Sequence, residues 1–549
     1  MKKATIALSI YLLIAILTLS CSTESTPVYQ ITTSAEPTEA GTVSTSSAEA
    51  EEGKTIQITA NANEHWVFDR WSGDYSGTEN PVSILMDVDK SVTALFVKQE
   101  YPLTIEVEGE GNVNQRVIQQ KSTDYPHGTL VELTPVPSEG WVFKSWSGDV
   151  TSSDEVIEVT VDGEMNVTVT FDPVVYLGEN GITIMCPNGK VGDIGIVNGV
   201  EYEVVDNDLL RRRLEEGQGN FSRNVCVTRV TDMSFLFEGL KFNEPIDDWD
   251  VSNVSDMRGM FRGDRNNKNP FNHPLGNWDV SSVTDMGIMF HISQFNQPIG
   301  DWNVSNVTNM SSMFQSSEFN KPIGNWDVSN VTNMWGMFYG SSFKHPIGNW
   351  DVSNVTDMSW MFSSSEFNQP IGDWDVRSVT DMSAMFSSST FNHPIGNWDV
   401  RSVTDMSAMF SSSTFNQHIG DWDVSNVIKL WGMFADTQFN QPIGDWDVSN
   451  VADMKYMFYN SKFNLTIGGW DVSNVTDMSW MFSSSEFNQP IGNWDVSNVA
   501  DMSWMFSSSQ FNQNISGWCV IRIESEPSGF SSNSPLVQQN KPVWGTCPE

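Results

Sequence analysis

Residues 367–386 read Phe367-Asn368-Gln369-Pro370-Ile371-Gly372-Asp373-Trp374-Asp375-Val376-Arg377-Ser378-Val379-Thr380-Asp381-Met382-Ser383-Ala384-Met385-Phe386, and near copies of this stretch run from residue 229 to residue 517. Its tryptophan returns as Trp249, Trp278, Trp302, Trp326, Trp350, Trp374, Trp398, Trp422, Trp446, Trp470, Trp494 and Trp518, and after the first interval every step is 24 residues. A fixed period of this size marks stacked repeats, because one unit cannot bury its apolar face alone. The first step is longer, and the extra residues around Arg262–Lys268 are polar, as a loop insertion requires.

Within one copy, Trp374 and Val376 alternate with Asp373 and Asp375, so Ile371–Val376 is expected to be a short strand with the apolar pair facing in. Val379, Met382 and Phe386 follow at the spacing of one helical face, and Asn354-Val355-Thr356-Asp357 in the preceding copy has the form of a helix N-cap. The expected fold class is therefore a mixed β/α repeat solenoid of 24-residue, leucine-rich-repeat-like coils, preceded by two small all-β modules. The apolar side chains of one coil contribute roughly 1.5–3 kcal/mol each. Ordering its backbone costs about 1–2 kcal/mol per residue. A coil is thus expected to stand only against its neighbours.

Outside the repeats, residues 174–228 and 518–549 are expected to cap the two ends. There are five cysteines, and apart from Cys21 they fall in these caps: Cys186 and Cys226 before the repeats, Cys519 and Cys547 after them. Four cysteines allow three pairings. In an oxidising compartment the local ones, Cys186–Cys226 and Cys519–Cys547, are expected, each closure contributing about 3–4 kcal/mol. No CxxC spacing suggests zinc.

Toward the N-terminus, Trp66-Val67-Phe68-Asp69-Arg70-Trp71-Ser72-Gly73-Asp74 is echoed by Trp141-Val142-Phe143-Lys144-Ser145-Trp146-Ser147-Gly148-Asp149. Alternating segments flank both, so residues 29–98 and 101–173 are expected to be two small antiparallel β modules. Lys2 and Lys3 precede an apolar run from Ala4 to Leu19, the form of a secretory leader over residues 1–20. The run ends in Leu17-Thr18-Leu19-Ser20-Cys21, similar to a bacterial lipobox, which makes Cys21 the expected lipidation site and residues 21–28 a tether. The protein is then expected in the bacterial cell envelope, held by its lipid and exposed at the outer-membrane surface.

The two Trp-Ser-Gly-Asp segments resemble the divergent internalin B-type repeats of bacterial surface proteins, which in that family look like stalks or spacers. The F-N-x-P-I-G-x-W-D-V-S-N-V-T-D-M-S-x-M-F unit resembles the BspA-like repeat proteins, a leucine-rich-repeat-related group that includes mycoplasma surface lipoproteins. That resemblance implies surface exposure, with adhesion or host-protein binding for some members.

Composition narrows the partners. Lys+Arg number 29 against 69 Asp+Glu, a formal charge of −40, and that field repels nucleic acid and anionic membranes. No enzyme constellation is found: the seven histidines are scattered, with no G-x-S-x-G and no placed base. His273, His345 and His393 precede a proline where other copies hold Gln or Lys, and are expected to be exposed loop residues. Asn296, Asn320, Asn368 and Asn392 are expected to form a ladder of buried amides that satisfies loop backbone. Between the two methionines of each copy the residue varies, and Trp335, Trp360, Trp431, Tyr456, Trp480 and Trp504 stand there as candidate contacts for a protein or glycan of a host or neighbouring cell. Partial packing against the next coil is the competing reading. Asp327, Asp351, Asp375, Asp399, Asp423 and Asp447 follow the core tryptophan and form an acidic stripe that offers weak calcium ligation, with turn capping or plain solvation as the blander account.

Overall fold

A computed structural model describes residues 25–117, 124–221 and 224–548. The leader and Cys21 lie outside the described residues. The chain divides into two compact units, residues 1–137 with 143–171 and residues 138–142 with 172–549.

The first unit holds two copies of one topology. In the first copy β1 (Val28–Glu36), β2 (Gly41–Thr45), β3 (Glu49–Glu51), β4 (Thr55–Ala62), β5 (Trp66–Gly73), β6 (Val82–Leu85) and β7 (Lys90–Lys98) form two sheets, in the orders β3-β1-β7-β5 and β2-β4-β6. The second copy repeats this with β8 (Glu100–Glu108), β9 (Gly111–Arg116), β10 (Asp124–Pro126), β11 (Thr129–Pro137), β12 (Trp141–Gly148), β13 (Ile157–Val161) and β14 (Met165–Pro173), as β10-β8-β14-β12 and β13-β11-β9. The modules are not wholly antiparallel as expected: β1 runs parallel to β7 and β8 parallel to β14. The sequence echo has a structural cause. Trp71 and Trp146 are fully buried, and their indole N–H groups donate to the Glu79 and Asp154 carbonyls at 2.8 and 3.1 Å. Asp74 and Asp149 each accept the amide of the facing strand, Ser91 and Asn166, at 2.7 Å. The glycine between them has a positive φ, and a Cβ there would collide with the Ser91 or Asn166 carbonyl oxygen.

The second unit opens with β15 (Tyr176–Leu177) paired to β16 (Ile184–Met185), and with a three-stranded sheet of β17 (Ile194–Val197), β18 (Val200–Val204) and β19 (Asn224–Cys226). The Asn198-Gly199 turn has both residues at positive φ, the requirement of a tight hairpin. Helix α1 (Asn207–Glu216) was not anticipated; Asp206 caps it, accepting the Leu209 amide at 2.9 Å. Its Leu209, Leu210 and Leu214 join a single apolar core that continues through every repeat to Leu536. Cys186 is bonded to Cys226 and Cys519 to Cys547, the local pairings expected.

The mixed β/α repeat solenoid is overturned. Apart from α1 and a short 3-10 turn at Gln538–Asn540, all regular elements among the described residues are strands in small sheets, and none lies between Cys226 and Gln538. The repeats hold neither the expected strand nor the expected helical turn. Ile371–Trp374 is a turn closed by Trp374 N–H to the Ile371 carbonyl at 3.2 Å; Val379 closes another on Val376 at 3.0 Å, and Met385 a third on Met382 at 3.2 Å. The i, i+3 spacing that suggested a helical face is equally the spacing of consecutive hydrogen-bonded turns. Asp357 does not start a helix either: its Oδ1 accepts the Ser359 amide at 2.9 Å, while Asn354 donates to the Ser329 carbonyl one repeat back at 2.7 Å.

What joins the repeats is backbone. In the copy at 358–365, alternate amides point along the stack: Met358 to Asp381 O, Trp360 to Ser383 O, Phe362 to Met385 O and Ser364 to Ser387 O, at 2.7–3.1 Å. The amides between them, Met361, Ser363 and Ser365, close local turns. Left-handed conformations at Trp360 and Ser364 redirect the chain to allow this. Side chains follow the register. Trp326 and Trp350 stack at 6.5 Å and 2°, Phe338 and Phe362 at 5.7 Å and 4°, and Trp374 Nε1 donates to the Ile347 carbonyl. The side chains expected to face inward are buried: Phe367, Ile371, Trp374, Val376, Val379, Met382, Met385 and Phe386.

The Gly of the P-I-G triplet marks the closest approach, since a Cβ on Gly372 would lie 2.7 Å from the Pro394 carbonyl oxygen in the next repeat. Gly469 is exposed with nothing within 4 Å of such a Cβ. Gly372→Ala is expected to destabilise the stack by about 1–3 kcal/mol, and Gly469→Ala by no more than about 0.5 kcal/mol, in paired denaturant melts.

Candidate binding face

The turn between the two methionines of each repeat reaches solvent at one corner of the stack. Its second residue takes the left-handed conformation: φ is 61° at Trp360, 57° at Tyr456, 60° at Trp480 and 58° at Trp504. Such a conformation costs a residue with a Cβ about 1–2 kcal/mol, and glycine, which avoids that cost, stands there in other copies as Gly259, Gly336 and Gly432. Trp335 and Trp431 occupy the first residue of the turn, each followed by one of these glycines. Trp335, Trp360, Trp431 and Trp504 are 42, 41, 42 and 36 % exposed, and Tyr456 and Trp480 are partly buried.

The six aromatics form two groups. Trp431, Tyr456, Trp480 and Trp504 come from four consecutive repeats. Tyr456 stacks on Trp480 at 5.7 Å and Trp480 on Trp504 at 5.1 Å, both at 13°, while Trp431 meets Tyr456 edge-on at 6.5 Å. Tyr459, which the sequence reading passed over, packs edge-on against both Tyr456 and Trp480. The ring stack thus carries some of the neighbour packing set against ligand contact as the competing reading, yet its outer edges remain in water. Trp335 and Trp360, with Tyr339, line a separate hollow of about 260 Å³. Two repeats with Ala384 and Ala408 at the turn lie between the groups.

The acidic stripe is engaged locally. Asp327, Asp351, Asp423 and Asp447 each accept the amide two residues on at 3.0–3.1 Å. Asp375 and Asp399 bind Arg377 and Arg401 through both oxygens. The hydroxyl and amide of Ser329 hold the Asp327 carboxyl below the usual carboxylate range, and those of Ser449 do so for Asp447. The guanidinium of Arg377 lowers Asp375 and that of Arg401 lowers Asp399. Among the described residues no three metal-ligating side chains converge.

The asparagine ladder exists, but on the surface: Asn392 N–H donates to Asn368 Oδ1 at 3.1 Å and Asn416 N–H to Asn392 Oδ1 at 3.0 Å, with Asn368 and Asn392 exposed. His273, His345 and His393 sit beside it, their Nε2 atoms 2.9–3.1 Å from the preceding asparagine carbonyl. Gln489 donates to the equivalent carbonyl, that of Asn464 in the preceding repeat, at 3.2 Å, so either residue serves. A second ladder, missed in the sequence, runs down the bridging residues Asp357, Asp381, Asp405, Lys429 and Asp453. Lys429 interrupts the like charges and pairs with Asp405 at 2.8 Å.

Residues 220–318, 314–414, 387–484 and 433–544 match the family described as Mycoplasma protein of unknown function, DUF285, and together they span more than half of the chain. The chain belongs to this family. Residues 31–100 and 101–175 match the divergent InlB B-repeat domain, in agreement with the two modules of the first unit. Neither description carries the BspA-like, leucine-rich-repeat name. No curated protein and no solved structure is significantly similar to the chain. No helix among the described residues is long and apolar enough to cross a membrane.

His291 stands where most family repeats of this chain place Ser or Tyr, at the polar insertion. Burial, with the Arg262 charge, lowers its pKa to about 4. The unfolded chain therefore binds a proton that the folded chain refuses, so this stability is present above about 6.5 and is lost as pH falls toward 4. In His291→Gln, melting temperature is expected to fall less steeply over that interval than in the wild type.

Proposed function

We propose that this repeat protein is a lipid-anchored surface protein of the bacterial cell envelope that binds a protein or glycan of a host or neighbouring cell through the exposed aromatic corner of its stack. The observation that carries this reading is the run of Trp431, Tyr456, Trp480 and Trp504 in four consecutive repeats, partly in water at turn positions where Ser407 and Ala408 serve elsewhere. Three of the four also bear a left-handed strain that alanine at the same position bears without exposing a ring. Large aromatics presented in a row bury much area on contact at low entropic cost. The membership in a mycoplasma repeat family, the similarity to BspA-like surface proteins and the lipobox-like Cys21 support the surface location.

One observation favours a purely structural envelope role, namely the stacking of Tyr456, Trp480 and Trp504 on one another. The two readings separate in one variant, Trp431→Ser with Tyr456→Ala, Trp480→Ala and Trp504→Ala. On the binding reading it captures surface proteins or arrayed glycans at least about tenfold less than the wild type, and its stability changes by no more than about 0.5 kcal/mol per position. Full capture together with a large loss of stability leaves the structural role. For the anchor, Cys21→Ser is expected to move the protein from the membrane fraction to the soluble one; unchanged partitioning refutes lipidation there.

A further inference from the structure

The hollow lined by Trp335, Tyr339 and Trp360 differs in kind from the ring stack. Tyr339 meets Trp360 edge-on at 5.8 Å and 72°, and the next repeat places Ala384 rather than a parallel ring beside Trp360. Besides the three rings only Gln315 and Gly336 line it. Gly336 forms the floor close over Ser312: an ideal Cβ there would lie 3.1 Å from Ser312 Oγ and 3.9 Å from Gln315 Oε1. Ser312 is fully buried, and its hydroxyl has no hydrogen-bond partner in the protein. The lining therefore combines three aromatic rings with one polar side chain, Gln315, and no positive charge.

We propose that this hollow binds a quaternary ammonium group, of the kind carried by choline. A sugar ring demands several hydrogen-bond partners, and the lining supplies one polar side chain. An anion is opposed by the formal charge of −40. A primary ammonium needs acceptors for three N–H groups, whereas a trimethylammonium needs none and gains from ring faces on several sides. The same corner of the stack already places a cation against a ring, with Lys455 Nζ 5.5 Å from the centroid of Tyr456. The Trp335–Trp360 hollow offers the rings without the lysine. This inference rests on reading the aromatic corner as a binding face, but it concerns a different set of residues.

The test is titration of the purified full chain with choline chloride, followed by calorimetry, beside sodium chloride and the uncharged alcohol in which a quaternary carbon replaces the nitrogen. Choline is expected to bind saturably and at least about tenfold more tightly than the carbon isostere. Trp360→Gly, which removes the ring and relaxes the left-handed backbone, and Trp335→Ser are each expected to weaken binding by about tenfold or more with the thermal melt retained. Phosphatidylcholine vesicles, compared with phosphatidylglycerol vesicles and with the Trp360→Gly variant, identify the source: variant-sensitive binding to the former means a lipid headgroup, and binding of free choline alone means a soluble ligand. Equal affinity for choline and its isostere, no saturable binding, or binding indifferent to both substitutions overturns the proposal. If choline fails while the Trp431–Trp504 variant still loses capture of surface proteins or glycans, the quaternary ammonium site is wrong and the binding face stands.

Discussion

Each repeat depends on amides that it cannot satisfy alone. Met358, Trp360, Phe362 and Ser364 direct their N–H groups to carbonyls one repeat ahead, and the same four-amide pattern recurs along the array. An unmade bond of this kind costs about 1–3 kcal/mol where the amide is buried, so the end of the stack needs substitute acceptors. At the C-terminal end Ser528, Phe530 and Ser532 supply the acceptors for Trp504, Phe506 and Ser508, and the Cys519–Cys547 bond lies in this closing segment. At the N-terminal end Val205, Val225 of β19 and Leu209, Leu210 and Leu214 of α1 cover the first repeat.

The inter-repeat register also fixes what can vary. Core positions stack on their own kind, Trp326 on Trp350 and Phe338 on Phe362 with near-parallel rings, and from Trp278 to Trp518 each indole N–H bonds a carbonyl one repeat back. The side chain at the left-handed corner takes no part in the inter-repeat amide bonds, so it varies from the buried Ser312 and Ala384 to the exposed Trp360. That variation makes the corner the place where recognition can be written, at the cost of a left-handed conformation for any residue but glycine. The bridging ladder obeys the opposite rule, because its residues lie side by side in adjacent repeats. Burial beside like charges raises Asp256 and Asp453, whereas Lys429 relieves Asp405.

Much of this was legible in the sequence. The 24-residue step of the tryptophans gave the repeat, the alternation around Trp374 gave the buried set, and the position of four cysteines gave both disulfides. Exposure of Trp335, Trp360, Trp431 and Trp504 followed from their variability. Secondary structure did not follow, because turns that close i to i+3 imitate the apolar spacing of a helix, and a turn at Gly372-Asp373 imitates strand alternation at Trp374 and Val376. The parallel strands β1 and β7 are joined by residues far apart in the chain, and no local pattern encodes them. Division of the six aromatics into a stack and a hollow depended on which neighbour carries Gly336, Tyr339 or Tyr459, a matter of three dimensions.

Amide hydrogen exchange tests the inter-repeat ladder most directly. Trp360 and Ser364 have exposed side chains and sit in turns, where amides ordinarily exchange fast. If their N–H groups are bonded to Ser383 and Ser387 of the next repeat, both exchange as slowly as the amides of Met358 and Phe362 in the core. Rapid exchange at Trp360 and Ser364 beside slow exchange at Met358 and Phe362 would contradict the account.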